Sequence, residues 1–340
     1  MATDVRKHRV SRTNLFVTEI GFGAAAAAGM FEGVSDEQCR ETVRAALDAG
    51  LGYIDTSPLY GYGKSEHLVG DVLRHRRTGF VLSSKVGRLL EPYCGTQARR
   101  GPWVDPLCFE PHYDYSYDGI MRSFADSQQR LGLGRIDILY VHDIGTMTHG
   151  VGANRTYWKQ LADGGYRALR ELKAAGLVGA IGMGVNEWEV LMDAVDIGDW
   201  DVFLLAGRYT LLDQVALSPL LGHCLERGIS VVIGGPFNGG ALMGTGRWNY
   251  SAAPAGILER VARLTQFCRD RQVHIGAAAV QMPLAHPAVV SVLCGPKSPA
   301  ELSEVLDWSR EAIPDGFWSD LAGAAVLAPG TPLPGGAVAI

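Results

Sequence analysis

Apolar and polar positions follow two periods that take turns along almost the whole chain. Short apolar runs at Glu19–Gly23, Leu51–Asp55, Phe80–Lys85, Ile136–His142, Leu177–Gly184, Val202–Ala206, Ile229–Ile233 and Val289–Leu293 predict buried strands. Between them the spacing lengthens to three or four. The clearest case is Tyr117, Ile120, Met121, Phe124, Gln128 and Leu131, which puts one apolar face on a helix. Further helices are predicted over Ser65–Arg74, Trp158–Ala175, Glu187–Ile197, Asp213–Arg227, Gly256–Arg271, Ile275–Ala285 and Pro299–Ser309. Ser35 with Gln38 three residues on reads as a capping box opening a helix to Ala49, and Ser298 as the cap of the last helix. Gly176 and Gly228 close two of the helices.

Eight strands alternating with helices suit parallel neighbours joined by crossovers. The expected architecture is α/β, a single (β/α)8 TIM barrel domain over residues 1–340, with a doubly wound open sheet as the rival. Two stretches fall outside the alternation. Arg88–Ser116, after the third strand, is an irregular loop rich in Pro, Gly and aromatics, and a loop that long is usually functional or disordered. Ala328–Ile340 reads as a loose tail, expected to lie over the barrel mouth.

Composition narrows the function classes. A chain of 340 residues, 47% hydrophobic and 20% charged, can bury one large core. A net charge of −5 and a pI near 6.0 argue against a nucleic-acid partner. The short basic run Arg74–Arg77 reads as a solvated helix end. Six cysteines (Cys39, Cys94, Cys108, Cys224, Cys268, Cys294) show no C-x-x-C or metal-type spacing, so no metal is expected. The N-terminus has no apolar signal core, and the run Ala24–Ala28 is far too short to span a membrane. Reduced thiols in a cytoplasm are the expectation.

Four ionisable groups stand out by position. Asp55, Lys85 and His142 each end a predicted strand. Tyr60 lies just beyond the first of them, past Pro58, which stops strand or helix from continuing. In a parallel barrel all strand C-termini meet at one rim, so the four can converge. Together they could move a proton to or from an alcohol or carbonyl. A phenol titrates near pKa ~10, and a nearby ammonium would lower that value. Asp55 could hold Lys85, and His142 could orient the substrate oxygen. Four unrelated rim ion pairs would show the same spacing.

Gly234–Gly240 follows the seventh strand and Gly295–Pro299 the eighth, where barrels bind phosphate through backbone N–H groups and a helix N-terminus; ordinary turns are the alternative. Two motifs mislead. Gly21-Phe22-Gly23-Ala24-Ala25-Ala26 matches a dinucleotide fingerprint, but glycines interrupt any following helix, so a tight turn is expected. Tyr60 and Lys64 match a Y-x-x-x-K pair, but Gly61 and Gly63 lie between them.

These residues carry a resemblance. The segments D-T-S-x-x-Y from Asp55, S-S-K ending at Lys85, D-I-L-Y-V-H ending at His142 and G-V-N at Gly184–Asn186 resemble the aldo-keto reductases over Val17 to about Leu327. V-H-D at Val141–Asp143, V-V-I-G-G-P-F-N-G-G from Val231 and W-S-D-L from Trp318 are similar to a bacterial branch of aldose 1-dehydrogenases, acting on L-fucose, D-threo-aldoses and galactose, and pyridoxal 4-dehydrogenase. The resemblance implies an NAD(P)-dependent oxidoreductase with Asp55, Tyr60, Lys85 and His142 as catalytic tetrad, oxidising an aldose at C1 to the lactone. Oxidation of pyridoxal, general aldehyde or ketone reduction, and a non-catalytic cofactor-binding regulatory subunit are the alternatives, the intact tetrad arguing against the last. It further implies cofactor contacts at Gly23, Ala24, Asp55, Asn186, Pro236, Phe237, Asn238, Gly240, Gly295, Pro296, Lys297, Glu301 and Glu304, and substrate contacts at Tyr60, His142 and Trp103. The partner is a small molecule, with no nucleic acid and no membrane, and the oligomeric state stays open. Some positions depart from the wider family. Val185 stands where a Ser commonly precedes the Asn, Ala206 replaces a Gln, and Gly234 replaces the aromatic that stacks on the nicotinamide. Glu301 falls where an Arg grips the extra phosphate of NADP. A carboxylate there implies NAD as the preferred cofactor with NADP possible.

Overall fold

The computed structural model describes residues 5–76, 78–97, 99–314 and 316–339. Eight parallel strands close into a barrel: β1 (Ile20–Gly23), β2 (Tyr53–Asp55), β3 (Val81–Val86), β4 (Ile136–His142), β5 (Val178–Val185), β6 (Val202–Ala206), β7 (Ser230–Gly234) and β8 (Val289–Cys294). Each pairs with its sequence neighbours, and β8 pairs with β1. The open-sheet rival is thereby excluded. Strand periodicity sorts side chains into two layers. In β4, Ile138 and Tyr140 join Tyr53, Ala180, Val202, Leu204, Val232 and Leu293 inside the barrel. Leu139 and Val141 point the other way, into the layer shared with the helices. Gly182 is required inside: a Cβ there would lie 1.7 Å from the Val202 carbonyl oxygen. A hairpin that the strand pattern did not reveal, Lys7–Arg9 with Phe16–Thr18, brings Val10 and Val17 into the inner cluster.

Several helices differ from their sequence pattern, each for a local reason. Ser35 does cap Asp36–Asp48 by accepting from the Gln38 N–H, but Gln38 donates its amide to the Lys297 carbonyl instead of returning to the cap. The helix expected over Trp158–Ala175 starts earlier, at Thr146–Gln160, and passes a wide turn at Leu161–Gly165 before Tyr166–Ala174. Only Gly222–Arg227 of Asp213–Arg227 is α-helical; Ser218 is extended, as a residue before proline tends to be. Ile275–Gln281 tightens into a 3₁₀ turn at Met282–Ala285, where Pro283 has no N–H to continue the ladder. A short helix at Phe317–Gly323 was not predicted.

The two irregular stretches are ordered differently from expectation. Arg88–Ser116 contains an antiparallel ribbon, Arg88–Pro92 with Phe109–Tyr113, and a smaller pair, Arg99–Arg100 with Trp103–Val104. It is tied to the loop after β1 by hydrogen bonds from Val104 N–H to the Gly29 carbonyl and Phe31 N–H to the Pro102 carbonyl. The tail is anchored: Thr331 and Leu333 are buried, and the Ala328 N–H donates to Gln214. It packs beside Met282–Ala285, which precedes β8. Arg77 and Ile340, the ends of the basic run and of the tail, lie outside the described residues. Among the described residues no helix is long and apolar enough to cross a membrane. The six cysteines are free thiols.

Candidate active site

The strand C-termini bring the four predicted groups together. Gly23 pairs with Asp55 and Asp55 with Ser83, so β1, β2 and β3 end at one level. Lys85 Nζ donates to Asp55 Oδ1 at 2.8 Å, to Asp55 Oδ2 at 2.7 Å and to the Thr56 carbonyl at 2.9 Å. All three ammonium protons have acceptors, and both side chains are only 2% exposed. Ser83 Oγ adds a 2.6 Å bond to Asp55 Oδ1. A buried pair so fully hydrogen-bonded is held in one geometry.

Tyr60 sits on the loop beyond, where Gly61 and Gly63 take positive φ before the helix Lys64–Leu73 starts. Its ring lies 4.7 Å from Lys85 Nζ, 5.8 Å from the Trp103 ring and 6.1 Å, edge-on, from the His142 ring. Burial holds the Tyr60 phenol well above its ordinary pKa, and the Asp55 carboxylate pushes the same way. The sequence reading expected the opposite shift. Lys85 instead spends its three protons on Asp55 and Thr56. Trp103 is 1% exposed, so it backs Tyr60 and has little surface left for a substrate. Lys64, the partner in the misleading Y-x-x-x-K match, turns away to an ion pair with Asp36.

His142 is held on one edge. Ser57 Oγ accepts from the Leu59 N–H and bonds His142 Nδ1 at 3.1 Å. If the serine donates to Nδ1, the ring proton stays on Nε2, towards Asp143 Oδ2 at 3.4 Å. Burial, Arg88 and Lys85 hold the His142 pKa well below its usual value, so the ring is neutral at pH 7. Its carbonyl is fixed by the Tyr115 hydroxyl at 2.7 Å.

The opposite side of the rim carries the predicted cofactor residues. Gly23 ends β1, and the Ala24 N–H donates to the Asp55 carbonyl. Residues 24–29 form turns and no helix, as expected for a tight turn at the mouth. Asn186, just past β5, points its amide to the Ala206 carbonyl and the Tyr250 hydroxyl, each at 3.4 Å. Phe237 packs its ring against Trp308 on the outer helix Pro299–Arg310, and Asn238 is buried, accepting from Thr210 and donating to the Gly207 carbonyl. Pro236 and Pro296 are buried beside them, while Gly240 and Gly295 keep some exposure. Glu301 completes the helix start, with Ser298 Oγ accepting from its N–H while its carboxylate accepts from the Lys297 N–H at 2.8 Å. Lys297 is ion-paired to Glu32 at 2.6 Å and Glu301 at 3.5 Å. Glu304 is exposed one turn further on.

Several residues near the site were missed: Ser57, Ser83, Arg88, Asp143 and Tyr250. Ser57, Ser83 and Asp143 lie within the quoted motifs themselves. Tyr250 reaches the site from a hairpin, Arg247–Trp248 with Ser251–Ala252, that no periodicity announced.

Comparison with known proteins agrees with this geometry. The Aldo/keto reductase family matches residues 19–325. The chain belongs to that family. This aldo/keto reductase is 44% identical over 329 residues to a pyridoxal 4-dehydrogenase of Microbacterium luteolum, covering 93% of this chain and 96% of that protein. It is 36% identical to a D-threo-aldose 1-dehydrogenase of a Pseudomonas species, covering 92% and 95%. In fold it is similar to an aldo-keto reductase from Bacillus halodurans, with TM-score 0.70, 24% identity and coverage of 95% and 98%. It is an oxidoreductase of a family that uses nicotinamide cofactors. The residues present fit such a group. Arg247 Nε and Trp248 Nε1, in the segment after β7, are buried donors without partners among the described residues, which suits an anionic, acceptor-rich ligand.

Proposed function

We propose that this reductase oxidises a cyclic hemiacetal to a lactone, with NAD as cofactor. The observation that carries the reading is the Asp55–Lys85 pair beneath Tyr60, with His142 edge-on to the same ring. Aldoses and pyridoxal both form cyclic hemiacetals in water, so the substrates named for the two relatives share one reacting group. Pyridoxal gains weight from the 44% identity; an aldose such as L-fucose, a D-threo-aldose or galactose was the expectation from sequence.

The residues divide the work. His142 Nε2–H would donate to the hemiacetal oxygen and set its position. Tyr60 would take the hydroxyl proton as the carbon loses its hydride, or give it back in the reduction. Lys85 and Asp55 would keep Tyr60 and the pocket floor in place. Asn186 would hold the carboxamide of the cofactor, and the loops after β7 and β8 its phosphates. The bound nicotinamide supplies the hydride acceptor. Glu32 and Glu301 both hold Lys297, and their carboxylates would oppose an extra 2′-phosphate there. This supports NAD over NADP.

The test is a panel of aldoses, pyridoxal and simple aldehydes with each cofactor, following reduced nicotinamide by absorbance and the lactone by mass. Turnover of a hemiacetal with NAD supports the reading. Tight cofactor binding without turnover of any panel member would replace it with a regulatory, non-catalytic role.

A further inference from the structure

Beside His142 lies a charged pair that proton transfer does not use. Asp143 follows the catalytic-strand histidine in a left-handed backbone conformation, φ 44°, with its N–H bonded to the Gly184 carbonyl at 2.9 Å. A non-glycine residue rarely stays there without a compensating contact. The conformation returns its carboxylate to the mouth, where Oδ2 accepts from Arg88 Nη2 at 2.5 Å and lies 3.4 Å from His142 Nε2. Arg88 follows Gly87, whose φ of 93° turns the chain out of β3; a Cβ at Gly87 would meet the Tyr115 ring at 2.3 Å. The guanidinium is 4% exposed and sits 5.2 Å from the Tyr113 ring centre.

The pairing is incomplete. Among the described residues Arg88 Nε is buried with no partner, and the bond between the two side chains uses Arg88 Nη2 and Asp143 Oδ2, leaving Nη1 and Oδ1 outside it. The Asp143 side chain keeps 20% exposure. A buried guanidinium left so underused is costly if its role is only structural. Arg88 Nη1 and Asp143 Oδ1, an open donor and an open acceptor on two groups already bonded to each other, match a group that both accepts and donates, as a hydroxyl does.

Resting on the reading above, we propose that Asp143 and Arg88 recognise a substrate hydroxyl within two carbons of the reacting carbon. Asp143 accepts its hydrogen bond, and Arg88 positions Asp143 and donates to the hydroxyl oxygen. The C2 hydroxyl of an aldose meets that description, whereas the ring oxygen of pyridoxal, ionised at neutral pH, could only accept from Arg88. The pair thus selects hydroxylated hemiacetals, while the tetrad performs the oxidation.

The experiment measures kcat/KM with NAD for matched substrates, galactose against 2-deoxygalactose and L-fucose against 2-deoxy-L-fucose. The hydroxylated member of the better-used pair should lead about tenfold to a hundredfold in the wild type, the range of a hydrogen bond to a charged group. Asp143→Asn and Arg88→Met should collapse that ratio, mainly through KM, and Arg88→Lys should restore part of it. A ratio that persists in Asp143→Asn overturns the proposal. Should the variants fail to fold, equal wild-type kcat/KM for both members overturns it alone. Absence of hemiacetal turnover by the wild type overturns it together with the reading on which it rests.

Discussion

The two sides of the barrel mouth are built on opposite plans. On the β2–β4 side, charge is locked: Lys85 and Asp55 are 2% exposed and share short bonds with Ser83 and Thr56. On the β7–β8 side, charge is loose. Lys297 is 26% exposed and paired to Glu32 at 56% exposure, in loops where Gly235, Gly239, Gly240, Gly244 and Gly246 all take positive φ. Preorganised groups lower a barrier because they need no rearrangement during the reaction. A large, flexible cofactor calls for loops that can adapt. The difference shows where rigidity is needed in this fold.

The largest expected effect is on the locked side. Tyr60→Phe should cut turnover by ~10²–10⁴-fold, the usual contribution of a positioned acid–base group, while NAD affinity measured by fluorescence titration stays close to wild type. Near-normal turnover would break the assignment.

Stability should divide along the same line. Lys85→Met leaves the Asp55 carboxylate buried and unpaired, which should cost about 3–5 kcal/mol. Lys297→Met removes a partly exposed pair and should cost less than about 1 kcal/mol. Urea denaturation of both variants measures the contrast, and equal losses would erase it.

A third prediction concerns pH. Because burial raises the Tyr60 pKa, the phenol is neutral at pH 7, and the phenolate needed for oxidation grows as pH rises. Oxidation kcat/KM should therefore increase into the alkaline range, by up to about tenfold per pH unit, while reduction, which uses the neutral phenol, should stay level until the pH approaches that raised pKa. A flat profile between pH 7 and 10 would show that the proton is removed by another group.

The smallest effect belongs to the loose side. Glu301→Gln keeps an acceptor for the Lys297 N–H but frees half of the lysine's charge. The ratio of kcat/KM for NADP to that for NAD should rise several-fold, on the order of the ~0.3–1 kcal/mol of a partly exposed charge contact. A wild type that already prefers NADP would refute the role of Glu301.

The structure also shows which features were legible beforehand. Strand ends at Asp55, Lys85 and His142 are marked because an apolar run stops at a charged or polar residue. The caps Ser35, Ser116 and Ser298 each accept from a backbone N–H at the helix start, and two of them were read directly. Side-chain direction was not legible. Phe237 and Asn238 lie in a matching motif, and only the fold shows that their side chains meet Trp308 and Thr210. The ribbon after β3 was hidden because its strands are short and mix Pro, Glu and Arg with the apolar positions.

By itself the sequence determined the eightfold alternation of strand and helix, the end of each strand to within one residue, and the order of the four groups that meet at the rim. Those follow from backbone periods of 2 and 3.6, which act between near neighbours in the chain. Tertiary structure alone decided the rest. Arg88 and Asp143 are 55 residues apart, and only the closure of β3 against β4 brings them into contact. Closure also buried Tyr60 beside Asp55, and so raised a pKa that residue spacing alone had suggested would fall. Desolvation and contact depend on what surrounds a group in space, and that is set only when the barrel closes.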